Sequence, residues 1–394
     1  MRVLVVHNFY QQEGGEDHEV AAELQLLREG GHEVATFTLH NDEIARTSAI
    51  RVAGKTLWNG EAYRALGSLL RQHRPDVAHF HNTFPLVSPA GYYAAHAAGV
   101  PVVQSLHNYR LLCPNALLFR DGRVCEECVG RAVPWPGVAH RCYRASRAAS
   151  AAVVTMLSVH RALGSWRREV DLFVAPSRFA RQKFVDAGMA AEQVVVKPNV
   201  VARDPGAGAG GGGYALYVGR LSVEKGVDTL LDAWRPERSP SMPLHIVGDG
   251  PLAGAVAAAA DGRVVSWLGA LPAADVERQM ADATLLVVPS RCYETFGRVV
   301  IEAFAAGTPV VASSHGVLAE LVEDGRTGAL FPPGDAAALV DRVVALASHG
   351  ATVVRMRAAA RAAFEGQYGA VANHDALLDV YRFAGRRFAL ARCA

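Results

Sequence analysis

Residues 203–220 read RDPGAGAGGGGYALYVGR. The first part, Arg203 to Gly213, offers almost no side chain to bury and reads as a flexible linker or mobile loop. The second part, YALYVGR, is an apolar run without alternation, the pattern of a strand covered on both faces. A chain of 394 residues that passes through glycine and restarts on a buried strand has two domains. Downstream, a helix is expected over 226–234, with further strands in LHIVGDG (244–250), VVSWLG (264–269) and TLLVVPS (284–290). Upstream, RVLVVHN (2–8) is a buried strand, followed by a Gly14-Gly15 turn and a helical pattern at Val20, Leu24 and Leu27 that Gly30-Gly31 ends. Glu33 to Leu39 is the next strand, and short apolar runs recur at Val77–Phe80 and Val100–Leu106. Each half therefore alternates strand and helix, which implies two doubly wound parallel-sheet α/β domains with ligands at the carboxyl ends of the strands. The Ala- and Arg-rich stretch 351–392 reads as helix returning to the first domain.

Hydrophobic residues make up 51% of the chain and charged residues 20%, with 37 Gly and 19 Pro, which excludes wholesale disorder and collagen-like repeats. The N-terminus, MRVLVVHNFY, has too short an apolar run before His7 for a secretory signal, so a cytoplasmic location is expected. The apolar stretch Ala148 to Leu163 is interrupted by Ser150, Thr155, Ser158, His160 and Arg161 and falls short of a bilayer span. Within a formal net charge of +2, residues 110–168 hold ten Arg against Asp121, Glu126 and Glu127. Such a stretch suits phosphates or an anionic membrane surface, and equally the solvated face of an arginine-rich protein.

The densest chemistry lies in PSRCYETFGRVVIEAFAAGTPVVAS (289–313). A helix is expected from about Gly297 to Gly307, with Glu294 in the loop ahead of it and Glu302 on its second turn. The N–H groups of Phe296, Gly297 and Arg298 at the helix start form an anion site, and the two carboxylates can accept hydrogen bonds from sugar hydroxyls and a ribose diol. Arg220 and Lys225, after the first strand of the second half, place two cations on a loop at the same end of the sheet. VGDGP (247–251) either lines a base pocket or is a strand-ending turn, and Lys197-Pro198-Asn199 either joins the site or acts as a hinge.

The Glu-x7-Glu spacing, with YVGRLSVEKG (217–226) before it and VEDGRTGALFPPGD (322–335) after it, resembles the retaining glycosyltransferases of family four, the group 1 glycosyl transferases with the GT-B fold. The first half adds Gly14-Gly15, RPDVAHFHN (74–82) and LHNYRLLCPN (106–115), so the resemblance covers nearly the whole chain. It implies two Rossmann-like domains facing a central cleft: 1–202 on the acceptor side, a 203–213 linker, 214–370 binding the nucleotide sugar, and a C-terminal helix in 371–394 returning to the first domain. It also implies transfer of a sugar from a UDP- or GDP-type donor to a hydroxyl of a glycan, glycolipid or small molecule, with retention of configuration. Arg220 and Lys225 would then neutralise the diphosphate leaving group, Glu294 would hold the sugar hydroxyls and Glu302 the ribose. Thr295, Phe296 and Gly297 would offer backbone donors, Gly15 would let the backbone approach the phosphates, and His107 would touch the transferred sugar. No protein nucleophile or base is assigned, and with no Asp-x-Asp pair the reaction is expected to need no divalent ion or other cofactor. A nucleotide-sugar epimerase of the same architecture is the alternative. An NAD-dependent oxidoreductase is disfavoured because no Gly-x-Gly-x-x-Gly follows RVLVVHN, and a zinc and nucleic-acid module would leave the second half's motifs unused.

Cys113, Cys125, Cys128 and Cys142 cluster in a Cys-rich segment, 110–145. They can be read as a structural Zn²⁺ site, as buried free thiols, or as a redox pair. The arginines around them, with Trp135, Tyr143 and Trp166, fit a peripheral contact with the inner face of a membrane if the acceptor is lipid-linked; a soluble acceptor and no membrane contact is the other reading. No nucleic-acid partner is expected.

Overall fold

A computed structural model describes residues 1–12, 14–201 and 203–393. The expected boundary residue Ala202 and the terminal Ala394 lie outside the described residues. The chain forms two compact units, Met1–Leu118 with Glu126–Ala202 and Ala370–Ala394, and Phe119–Cys125 with Arg203–Gly369.

The first unit is built on β1 (Arg2–Phe9), β2 (Glu33–His40), β3 (Val77–Phe80) and β4 (Val102–Ser105). A short hairpin of β5 (Phe119–Arg120) and β6 (Arg123–Val124) belongs to the second unit, and β7 (Leu172–Ala175) and β8 (Val194–Val196) complete the first. The six strands run parallel in the order β2-β1-β3-β4-β7-β8. Val3 to Val6 are essentially inaccessible, because a central parallel strand is covered on both faces, as the unalternating run in the sequence requires. Val3, Val5, Leu27, Val77, Val103 and Leu172 meet Leu377, Tyr381 and Ala384 of the helix Ala370–Cys393 in one core. The last helix is thus an integral layer of the first unit.

The second unit holds β9 (Ala215–Val218), β10 (Leu244–Val247), β11 (Val265–Trp267), β12 (Leu285–Val288), β13 (Val310–Ser313) and β14 (Gly328–Phe331), all parallel in the order β11-β10-β9-β12-β13-β14. Leu216 pairs with Leu286 across the centre, and Leu230, Ile246, Val287, Phe331 and Leu339 fill the core beneath. Both sheets are doubly wound, as read from the sequence. The strands β7, β8 and β14 and the β5–β6 hairpin were not anticipated.

The glycine-rich segment departs from its reading as a loose linker. Gly208, Gly210 and Gly212 donate backbone N–H groups to the carbonyls of Ala306, Ala281 and Asp282 at 2.9, 3.0 and 2.9 Å. Arg357 returns a bond to the Gly208 carbonyl at 2.7 Å, and Arg361 grips Asp204 with two nitrogens at 2.5 and 2.6 Å. A Cβ on Gly208 would stand 2.2 Å from the Ala281 oxygen. The glycine is there because two backbones touch.

Candidate active site

In the second sheet the strand order reverses at β9/β12, the point where open α/β sheets bind ligands beyond the carboxyl ends of their strands. The loop after β9 carries Arg220 and Lys225, and the loop after β12 carries Glu294. Gly226 closes the first loop with φ 73°, and a Cβ there would lie 1.9 Å from the Pro289 carbonyl oxygen, so the two loops are packed backbone to backbone. Lys225 Nζ donates to Glu294 Oε1 at 2.6 Å, and Ser290 Oγ donates to the same oxygen at 2.7 Å. His315 Nε2 in turn donates to the Ser290 carbonyl at 2.8 Å. Burial pushes the Glu294 carboxyl up, but the Lys225 charge and the two hydrogen bonds outweigh it and hold the group below its ordinary value. Burial opposes the Lys225 charge, yet Glu294 raises it overall. Both charges therefore persist in a half-buried place. Burial, reinforced by Glu294, pushes the neighbouring Cys292 thiol up to about 12, so it stays protonated.

Arg220 is exposed, and its carbonyl accepts the Tyr217 hydroxyl at 2.8 Å. The helix Arg298–Ala305 starts directly after Gly297, which at φ 74° turns the chain into it. Phe296 is buried and faces Tyr368 edge-on, at 6.3 Å between ring centres, which fixes the loop just before the helix; Thr295 is half-buried beside it. Glu302 sits on the second turn and accepts from Arg298 Nε at 2.7 Å. VGDGP is a strand-ending turn: Gly248 at φ 137° approaches Gly219, and its carbonyl accepts from Trp267 Nε1 at 3.0 Å.

In the first sheet the order reverses at β1/β3. Gly15 opens the helix Gly15–Glu29 after β1, and His107 lies two residues beyond β4. Glu16 draws these two places together: its Oε2 accepts from Tyr10 Oη at 2.9 Å and from Asn108 Nδ2 at 3.2 Å. Burial pushes the Glu16 carboxyl up to about 8. Nothing lies within 4 Å of where a Cβ on Gly14 or Gly15 would stand, so the turn faces open space.

Behind His107 is a buried network that the sequence reading missed. His107 Nε2 lies 2.9 Å from His81 Nδ1 with the rings stacked, and His81 Nε2 lies 3.4 Å from Glu23 Oε1. His79 Nδ1 is 2.8 Å from the same oxygen, and Lys197 Nζ is 3.3 Å from Glu23 Oε2. Burial lowers His81 to about 4 and holds His107 well below the usual imidazole value, so both rings are neutral at pH 7. Lys197 is only 3% exposed and serves as the counter-ion of Glu23. A signal did exist: His79 in β3 and His81 one residue past its end are two positions apart, the spacing that puts extended-chain side chains on one face.

Of the four clustered cysteines, Cys113 and Cys128 are buried and Cys125 and Cys142 half-buried, and none is joined in a disulfide among the described residues. Cys113 Sγ points to Asn115 Oδ1 at 2.9 Å and Cys128 Sγ to the Pro134 carbonyl at 3.7 Å. Among the described residues, the group of three or more ligand atoms close enough to share a cation is Glu23, His79 and His81, and it contains none of these sulfurs. The aromatic part of the basic segment is also smaller than expected. Trp166 is buried against His160 and Arg161 bonds the Leu111 carbonyl, whereas Trp135 is 57% exposed beside Arg131. Among the described residues no single helix is long and apolar enough to cross a membrane.

Residues 20–204 match the family described as Glycosyltransferase Family 4, and residues 212–349 match Glycosyl transferases group 1. Glycogen synthase of Mycobacterium tuberculosis is 30% identical over 366 residues, covering 89% of this chain and 78% of that protein. D-inositol 3-phosphate glycosyltransferase 1 of Catenulispora acidiphila is 30% identical over 328 residues, 78% of this chain and 72% of its own length. Among solved structures, Anabaena HepE in complex with UDP superposes with a TM-score of 0.67 at 20% identity, over 96% of this chain and 99% of that one. The chain belongs to the family 4, group 1 glycosyltransferases and has their GT-B fold. It is an enzyme of glycosyl transfer, and the epimerase alternative finds no support among these relatives.

Proposed function

We propose that the enzyme transfers a sugar from a UDP- or GDP-type donor to a hydroxyl acceptor with retention of configuration and without a divalent ion. The observation that carries this reading is the Lys225–Glu294–Ser290 constellation, held on two packed loops at the reversal point of the second sheet. Breaking the glycosidic bond leaves negative charge on the diphosphate. Lys225, the exposed Arg220 and the N–H groups at the start of the helix Arg298–Ala305 are cationic or dipolar partners already in place, so little reorganisation is needed as that charge develops. Glu294 then accepts hydrogen bonds from the sugar hydroxyls and Glu302 from the ribose, while Thr295, Phe296 and Gly297 supply backbone donors. In the first unit Gly15 leaves room for phosphate and His107 meets the transferred sugar. The acceptor hydroxyl attacks on the face the leaving group departs from, and a phosphate oxygen takes its proton; no side chain is assigned as base. Fixed cations supply the neutralisation that a metal would otherwise provide. UDP bound to HepE and the glycan and inositol-phosphate names of the relatives support this donor and acceptor chemistry.

Thermal stabilisation by a panel of UDP, GDP, ADP and their sugars tests the donor. A ligand at about 100 times its Kd adds about 2.7 kcal/mol. One base should stabilise selectively, and Glu302→Ala should lose the effect; well-folded protein that responds to no nucleotide would refute the assignment. Proton NMR of the product's anomeric signal reads retention, and unchanged turnover in EDTA reads metal independence.

A lipid-linked acceptor at the inner face of a membrane is favoured by one observation. Trp135, with Arg131 over its ring, and Leu163 are exposed, and so are Arg131, Arg141, Arg144 and Arg147 of the same basic stretch. Flotation with anionic liposomes should show binding that falls as salt rises; none at low salt would leave a soluble acceptor.

A further inference from the structure

The proposed reaction gives no role to three buried side chains of the first unit: Glu23 on the helix Gly15–Glu29, His79 in β3 and His81 one residue past it. They are 2%, 0% and 2% exposed. Neither Glu23 Oε1 nor His81 Nε2 makes a hydrogen bond, although both atoms are shut off from water. Orphaned polar atoms are costly in an interior, and folded proteins keep few of them. These two face each other at 3.4 Å, and His79 Nδ1 lies 2.8 Å from the same oxygen without aligning for a hydrogen bond to it. All three ligand-type atoms lie within 4.8 Å of one another. Donor atoms around a tetrahedral zinc with bonds of about 2.0–2.1 Å stand about 3.3 Å apart, a value that the two short separations bracket. The far nitrogen of each ring is also held. His79 Nε2 meets Ser105 Oγ and His81 Nδ1 meets His107 Nε2, both at 2.9 Å, which is how metal-bound imidazoles are oriented from behind.

We propose that Glu23, His79 and His81 form a binding site for a divalent transition-metal ion of the zinc class, which staples the helix Gly15–Glu29 to β3. Two imidazoles and one carboxylate suit such an ion, whereas magnesium and calcium take oxygen ligands. His81 is neutral, as a ligand must be. Tyr381 Oη, 2.9 Å from His79 Nδ1, is a further oxygen donor on that side of the ring. The ion is structural. Lys225 and Glu294, which answer the diphosphate and the sugar, belong to the other unit, so the site neither uses nor contradicts a transfer that needs no divalent ion. One group opposes the ion. Lys197 Nζ lies 3.3 Å from Glu23 Oε2 and also bonds the Pro198 carbonyl at 3.2 Å. It occupies the oxygen that does not face His81, but its charge repels a second cation. Lys197 therefore weakens the site, and its removal distinguishes a metal site from a plain network of buried charges.

Full-length protein, stripped of metal and titrated with zinc chloride, tests the site by metal content after gel filtration and by thermal melting. The wild type should retain about one zinc per chain and melt higher with it. Cobalt chloride used in place of zinc should give the visible bands of nitrogen and oxygen ligation without a sulfur-to-metal charge-transfer band, which sets the site apart from the cysteines at 113–142. Lys197→Met leaves Glu23 buried without its counter-ion. It should melt below the wild type when stripped, bind zinc at least about tenfold more tightly, and recover its stability on zinc addition; folding of this variant in zinc alone carries the same meaning. Glu23→Gln with Lys197→Met removes the carboxylate and the cation together, so no unpaired charge is left to unfold it, and this pair should lose both the metal and the zinc-induced shift. The proposal is overturned if neither the wild type nor Lys197→Met retains zinc, if the cobalt spectrum is that of thiolates, or if the double variant holds the metal as the wild type does. Zinc that stabilises Lys197→Met no more than the wild type would equally reduce the cluster to a charge network.

Discussion

Lys225 and Glu294 are 69 positions apart in the chain and 2.6 Å apart in space. Replacing Glu294 by Gln keeps its shape and a partner for Ser290 but removes the charge that Lys225 answers. We expect kcat to fall about 100-fold or more in steady-state assays, and a near-normal rate would remove Glu294 from the site. The folded carboxyl lies below its ordinary value, so its stabilising effect is full above the unfolded pKa and is lost as pH falls through the folded one. Wild-type protein should accordingly lose more stability than Glu294→Gln in urea melts as pH drops below about 4.3. Glu16 has the opposite sign. Its folded value is raised to about 8, so the native state keeps a proton that the unfolded chain releases, and stability declines as pH climbs from the unfolded value toward 8. Glu16→Gln should remove that decline and gain about 2 kcal/mol on the wild type between pH 4.5 and 8.5, less than the full linkage because the residue as a whole is only half-buried. Parallel pH profiles for the two proteins would mean that Glu16 is ionised in the fold. Of these residues, Lys225 and Glu294 were legible from motif spacing. Glu16 was not legible, because its partners Tyr10 and Asn108 come from two different loops.

Among the elements, the helix Arg298–Ala305 was legible to within two residues because its stops are local: Gly297 and Gly307 both adopt positive φ at its ends. The segment 203–213 was not, although its composition is just as distinctive. Glycine permits both a flexible chain and a close approach of backbones, and composition does not separate the two. Substitution does. Gly208→Ala places a methyl against the Ala281 carbonyl and should cost about 2–3 kcal/mol. Gly211 has nothing within 4 Å of its would-be Cβ, and Gly211→Ala should be neutral or stabilise by up to about 1 kcal/mol. Equal, small effects in urea unfolding would restore the loose-linker reading.

On the scale of the whole chain, the helix Ala370–Cys393 completes a core whose strands begin at the other terminus. Ending the chain at Gly369 removes Leu377, Tyr381 and Ala384 from that core, a loss of more than about 5 kcal/mol by the usual value of buried side chains. The first unit should then lose hydrogen-exchange protection in β1, β3 and β4 while the second keeps its own; full protection throughout would show the helix to be dispensable. The sequence by itself determined the alternation of strand and helix, the restart after glycine and the family motif, because each is written in residues that are neighbours or lie at one fixed spacing. Tertiary structure alone decided the strand orders, the docking of the glycine segment and the buried cluster of His79, His81 and Lys197 around Glu23. Lys197 and Glu23 are 174 residues apart and His79 and Tyr381 are 302 apart, so their pairing depends on where the first unit's sheet brings distant strands and helices together, which no local pattern encodes.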